Sequence, residues 1–110
     1  MVRISAAIVS ILTVAAAATS ASATSFNCYG HLTHTEATIC GNARLSSLDS
    51  QMAAAYKALI RSAQYSGPSI SSIKANQRLW LGYRNACGTN VSCLTTQYVQ
   101  KIDDLRNYAP

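Results

Sequence analysis

The chain has 110 residues, with nine Lys and Arg against four Asp and Glu and a net charge of +5. That length is one domain with room for a modest core. Four acids leave little from which paired-carboxylate catalysis could be built, and cations that never stand side by side argue against nucleic acid as a partner.

Met1-Val2-Arg3 is a short positive start, and Ile4 to Ala18 is an apolar run broken only by small polar residues. Ala21-Ser22-Ala23 ends it with an A-x-A pattern, so residues 1–23 read as a secretory signal peptide cut after Ala23. About 15 apolar residues fall short of the roughly 20 needed to span a bilayer. Thr24-Ser25-Phe26-Asn27 also lacks the small residues that precede a lipid-modified cysteine. The expectation is an exported protein, periplasmic or secreted, with no stable membrane anchor after cleavage. Loss of Arg3 leaves eight Lys and Arg against four acids, a balance of +4, on a single domain over residues 24–110.

Thr24 to Leu32 shows no helical period. Thr33-His34-Thr35-Glu36 is a capping-box pattern, opening a short helix that runs to Cys40 and stops at Gly41-Asn42. From Ala43 to Gln64, Leu45, Leu48, Met52, Ala55, Leu59 and Ala63 share one stripe with Tyr56 and Ile60 at its edge, which predicts a long helix. Tyr65-Ser66-Gly67-Pro68 ends it. Ser69 caps a third helix over Ile70 to Ala86, Gly88-Thr89-Asn90 turns the chain, and a fourth helix covers Val91 to Asn107 with Leu94, Tyr98, Lys101 or Ile102, and Leu105 inward. The fold class is therefore all-α: a small bundle of three main helices plus a short N-terminal one. Its core is assigned to Leu48, Met52, Tyr56, Leu59, Ile73, Gln77, Trp80, Leu94, Tyr98 and Leu105.

Four cysteines, Cys28, Cys40, Cys87 and Cys93, make an even count in an exported chain and read as two disulfides that staple the bundle. Three pairings are open. Pairing Cys28 with Cys40 and Cys87 with Cys93 closes loops of about 13 and 7 residues, which the chain-entropy model credits with roughly 3 and 2.5 kcal/mol. Longer loops score higher on that model, so it does not select a scheme. Position favours the local one, because Cys87 and Cys93 flank a turn.

The segment Gln77 to Cys93 poses the central problem of the chain. Ile73, Gln77, Trp80, Arg84 and Cys87 fall on one helical face, and Arg and Gln are rarely buried without partners. Glu36 is engaged by its capping box and Asp103 lies opposite the apolar stripe of its helix. Asp49 and Asp104 lie at stripe edges. Because only a short turn separates the long helix from the Trp80 helix, the two are expected to pack together, with Asp49 paired to Arg84 by a charge-assisted contact. The reading is structural: a polar pair fixing helix register.

Cys28, His31 and His34, with Cys40 nearby, have a spacing that zinc could use, but a bridged sulfur is a poor ligand and the histidines read as loop residues. No metal and no cofactor is expected. No serine sits in a G-x-S-x-G elbow, so no catalytic residue is assigned and the chain is not read as an enzyme. The scattered cations Arg44, Lys57, Arg61, Lys74, Arg78 and Lys101 read as a solvated cationic face.

Ser25-Phe26-Asn27-Cys28, Glu36-x3-Cys40, Leu45-x2-Leu48-Asp49-x6-Tyr56, Gln77-Arg78-x-Trp80-Leu81-x2-Arg84-Asn85-x-Cys87 and Cys93-Leu94, in that order, resemble the four-cysteine domain of LprI-type lysozyme inhibitors. The resemblance covers nearly all of residues 24–110. It implies an all-helical exported domain with local disulfides. It further implies a non-enzymatic binding module whose partner is a lysozyme-like muramidase. A second function class fits the composition: an envelope structural or stress protein that inhibits nothing and associates with anionic wall polymers by charge. The oligomeric state is open.

Overall fold

In the computed structural model, which describes residues 24–65 and 67–108, four helices follow one another: α1 (His34–Cys40), α2 (Ala43–Ala63), α3 (Ile70–Ala86) and α4 (Val91–Arg106). Residues 1–23, read above as a signal peptide, lie outside the described residues. No strand occurs among the described residues, and no described helix is long and apolar enough to cross a membrane.

Each helix starts on a side chain that satisfies a free amide of its first turn. Thr33 Oγ1 accepts from the Glu36 amide at 3.1 Å while Glu36 Oε1 accepts from the Thr33 amide at 3.0 Å, completing the capping box. Asn42 caps α2 through Leu45 N at 3.0 Å, Ser69 caps α3, and Asn90 caps α4 through Cys93 N at 3.0 Å. Asn42 and Asn90, expected only as stop and turn residues, thus begin the next helix. Gly41 stays right-handed (φ −81°), whereas Gly88 takes the left-handed backbone (φ 59°) that lets α3 turn back into α4.

Packing departs from the expectation in one respect. The principal contact of α2 is with α4, and α3 meets α2 at few places, one being the Gln77 amide on the Met52 sulfur at 3.1 Å. Apolar area explains this: α4 supplies Leu94, Tyr98, Ile102 and Leu105 to the core, whereas α3 supplies only Trp80 to the same cluster. Burial of that area outweighs the proximity imposed by a short turn. α3 and α4 run antiparallel, with Asn76 meeting Tyr108 at one end and Arg84 meeting Tyr98 at the other.

Met52, Ile73, Trp80, Leu94, Tyr98 and Leu105 are buried, together with Ile39, Leu45 and Ile102. Leu48, Tyr56 and Leu59 pack part-buried against that cluster, and Gln77 is part-buried. Two bridges close the ends. Cys28–Cys40 ties the N-terminal arm to α1, and Cys87–Cys93 ties the end of α3 to the start of α4, with Cα atoms 5.9 and 5.6 Å apart. All four described cysteines are consumed in them.

Candidate functional site

Asp49 and Arg84 are both buried, Asp49 with no exposed surface at all, and they converge on the same point of the bundle. They do not pair directly. The Tyr98 hydroxyl lies between them, donating to Asp49 Oδ1 at 2.7 Å and accepting a long contact of 3.5 Å from Arg84 Nη1. The expected ion pair is therefore corrected to a relay through a phenol. The cause is the α2–α4 packing, which brings Tyr98 onto Asp49 before α3 can reach it.

The rest of the acid's partners come from the arm. Ser25 N donates to Asp49 Oδ2 at 2.5 Å, and Ser25 Oγ to Oδ1 at 3.0 Å. Three donors thus hold one carboxylate, an arrangement that offsets its loss of water. Arg84 is satisfied by its own neighbour, with Nε and Nη2 donating to Asn85 Oδ1 at 3.1 and 2.9 Å. Its guanidinium also lies over the Phe26 ring, 5.6 Å from the centroid. Tyr98 in turn meets Trp80 edge-on, with centroids 5.3 Å apart. Burial, and then the bond to Asp49, push the Tyr98 phenol well above its ordinary range, so it remains neutral and a donor. Asp49, Tyr98 and Arg84 are thus each engaged, whereas Trp80 Nε1 and Gln77 Oε1 are buried with no hydrogen-bond partner. What the arrangement does is clamp the arm, α2, α3 and α4 onto one centre.

The outer surface is built differently. A shallow groove of about 250 Å³ runs between α3 and α4, with Trp80 in its floor and Leu79, Tyr83, Gln97 and Gln100 along its sides. Leu79 is 61% exposed and Tyr83 58%. Lys101, read from sequence both as an inward alternative to Ile102 and as part of a solvated cationic face, is buried together with Ile102, its ammonium 5.9 Å from the Trp80 centroid. Burial lowers its pKa, and the neighbouring Asp104 opposes that shift. Arg44, Lys57, Arg61, Lys74 and Arg78 are exposed. His31 and His34 are exposed as well, and with Cys28 and Cys40 bridged no free thiolate stands beside them.

A family model described as "Lysozyme inhibitor LprI" matches residues 27–105, a span that holds all four helices, both bridges and the Asp49–Tyr98–Arg84 relay. The chain belongs to the LprI lysozyme-inhibitor family. No curated protein and no solved structure matches it. In this LprI domain Ser25 and Phe26 precede the matched span, yet they complete the partners of Asp49 and Arg84. Sequence reasoning missed Tyr98 as the bridging group, having assigned it to the core for its ring. It also passed over Leu79 and Tyr83, which a 3.6-residue period sets roughly 120° and 80° round α3 from Ile73, on the flank of its buried face.

Proposed function

We propose that the chain is an exported, non-catalytic binding protein that docks on a lysozyme-like muramidase and slows it. The observation that carries this reading is the family match across residues 27–105, which spans the whole helical unit rather than one motif. Two features of the molecule support it. The buried Asp49, Tyr98 and Arg84 groups are engaged by one another and by Ser25 and Asn85, and the largest apolar side chains of α3 that remain exposed, Leu79 and Tyr83, border a groove. Two internal disulfides suit an oxidising compartment. Release of residues 1–23, leaving a domain over 24–110, belongs to the same proposal.

The test is a lysis assay. Oxidised protein starting at Thr24 is added to purified muramidases spanning acidic to basic isoelectric points, and the clearing of cell-wall suspensions is followed. Slower clearing by at least one enzyme, with a complex seen by calorimetry, is the expected result. No binding and no inhibition across the panel would overturn the reading. Co-sedimentation with anionic wall polymer in that event would favour the charge-based envelope role.

A further inference from the structure

Where α3 and α4 run side by side, two hollows adjoin on the surface. One is the groove of about 250 Å³ floored by Trp80, and the other, of about 340 Å³, reaches Asn107 and Tyr108. Asn76, Lys101 and Asp104 line both, so the hollows meet at these three side chains. Lys101 is only 8% exposed, and its ammonium makes no hydrogen bond or ion pair among the described residues. A cation buried without a partner is costly. Its surroundings offset this in part, through the Trp80 ring and through the charge of Asp104, one turn along α4, which acts without pairing. Trp80 Nε1, also unpartnered, is fully covered, whereas the Lys101 ammonium is not. What surface it keeps opens on the hollows that Lys101 lines.

An ammonium donates and never accepts, so its complement is an oxygen lone pair. Its two neighbours make the opposite demand. An ionised Asp104 only accepts, and Asn76 spends its Nδ2 on the Tyr108 hydroxyl at 3.1 Å, leaving its carbonyl oxygen. A ligand at this point needs an acceptor oxygen flanked by O–H or N–H donors, and the Asp104 charge disfavours an anion. Gln97 and Gln100 add amides that both donate and accept, while Leu79 and Tyr83 give the groove an apolar edge. A hydroxyl-bearing edge and an apolar ring face, joined in one small uncharged molecule, describe a sugar. A peptide fits worse. The helix interiors that wall the groove keep their main-chain groups paired within themselves, and a lysine in the floor suits no apolar helix anchor.

We propose that the paired hollows between α3 and α4 are a binding site for a short uncharged saccharide. A hydroxyl or acetamido oxygen of the sugar sits on the Lys101 ammonium, and neighbouring O–H or N–H groups meet Asp104 and Asn76. The site is independent of the muramidase reading above, because its ligand is a glycan and not an enzyme.

Trp80 is the one tryptophan of the chain and stands in the groove floor, so its fluorescence reports occupancy. Oxidised protein starting at Thr24 is titrated with chitotriose, whose sugars are N-acetylated, and with cellotriose, whose sugars are not. A saturable change with at least one is the expected result, and the tighter of the two tells an acetamido oxygen from a hydroxyl. Lys101→Met keeps a buried apolar stem and removes the charge, so its thermal midpoint should equal or exceed that of wild type. Its sugar binding should weaken about tenfold or more, the loss expected when a hydrogen bond to a charged group goes. Asp104→Ala, at an exposed position, should weaken binding by a similar factor, and Lys57→Met on α2 should stay within about twofold of wild type. No saturable change with either sugar would overturn the site and leave the muramidase reading, tested by clearing, untouched. Sugar binding that neither groove variant weakens would overturn its location, and a lowered midpoint for Lys101→Met with binding intact would make that lysine structural. A response to inorganic phosphate in preference to sugar would mark an anion site. A response to a muramidase of the panel alone would mark a protein-docking face, and either would overturn the saccharide.

Discussion

Replacing Tyr98 by Phe removes one oxygen and leaves the ring that packs on Trp80. The cost follows from what each neighbour loses. Asp49 gives up its 2.7 Å bond from the phenol and keeps the two donors of Ser25. A hydrogen bond to a charged group contributes about 1.5–3 kcal/mol. Arg84 loses only a 3.5 Å contact and keeps Asn85 and Phe26, so its share is small. The sum is about 2–3 kcal/mol, or roughly 8–24 °C in thermal midpoint for a domain of this size. Urea unfolding of the oxidised protein measures it, with an unchanged slope showing that the native fold is retained. In an Asp49→Asn background the same replacement should cost far less, because the charged acceptor is already gone. A loss below about 0.5 kcal/mol, or full additivity with Asp49→Asn, would refute the relay.

Alkaline pH probes the same hydroxyl. Folding holds the Tyr98 proton above its ordinary value of 10.0, so its contribution is whole below pH 10 and declines as pH rises beyond it, when only the unfolded chain ionises. Urea midpoints between pH 8 and 11 should fall more steeply for wild type than for Tyr98→Phe, and equal slopes would count against the buried donor. Removing the shorter bridge with Cys87→Ser and Cys93→Ser together should lower stability by about 2.5 kcal/mol. Non-reduced peptide maps of wild type should return Cys28 linked to Cys40 and Cys87 linked to Cys93, and a Cys40–Cys87 peptide would contradict the fold.

Helix positions were legible because their signals are local. The Thr33–Glu36 box, the stripe from Leu45 to Leu59, the Gly67-Pro68 break and the Ser69 cap each act within a few residues, and the helices begin and end within about one residue of those marks. Three-dimensional neighbours were harder. A short turn between α2 and α3 suggested their pairing, but sequence distance sets only who can meet, and the four apolar residues of α4 decided who does. The meeting of Asp49 and Arg84 was foreseen in place and mistaken in chemistry. Periodicity reports that Tyr98 points inward and is silent about where its hydroxyl ends up. The arm was illegible for a related reason: Thr24 to Leu32 has no period, so nothing announced that Ser25 would donate twice to a carboxylate on α2.

The bridges also bear on how the chain is made. Each thiol finds its partner 12 or 6 residues further along, with no cysteine of the other pair between them. Loops of that length close on a timescale of about 10–100 ns, far faster than thiol chemistry, so encounter is never the slow step for the native partner. Cys40, the later of the first pair, lies nearly fifty residues before Cys87. For every thiol the native partner is also the nearest along the chain, so the smaller loop-closure cost favours each native pair over its rivals.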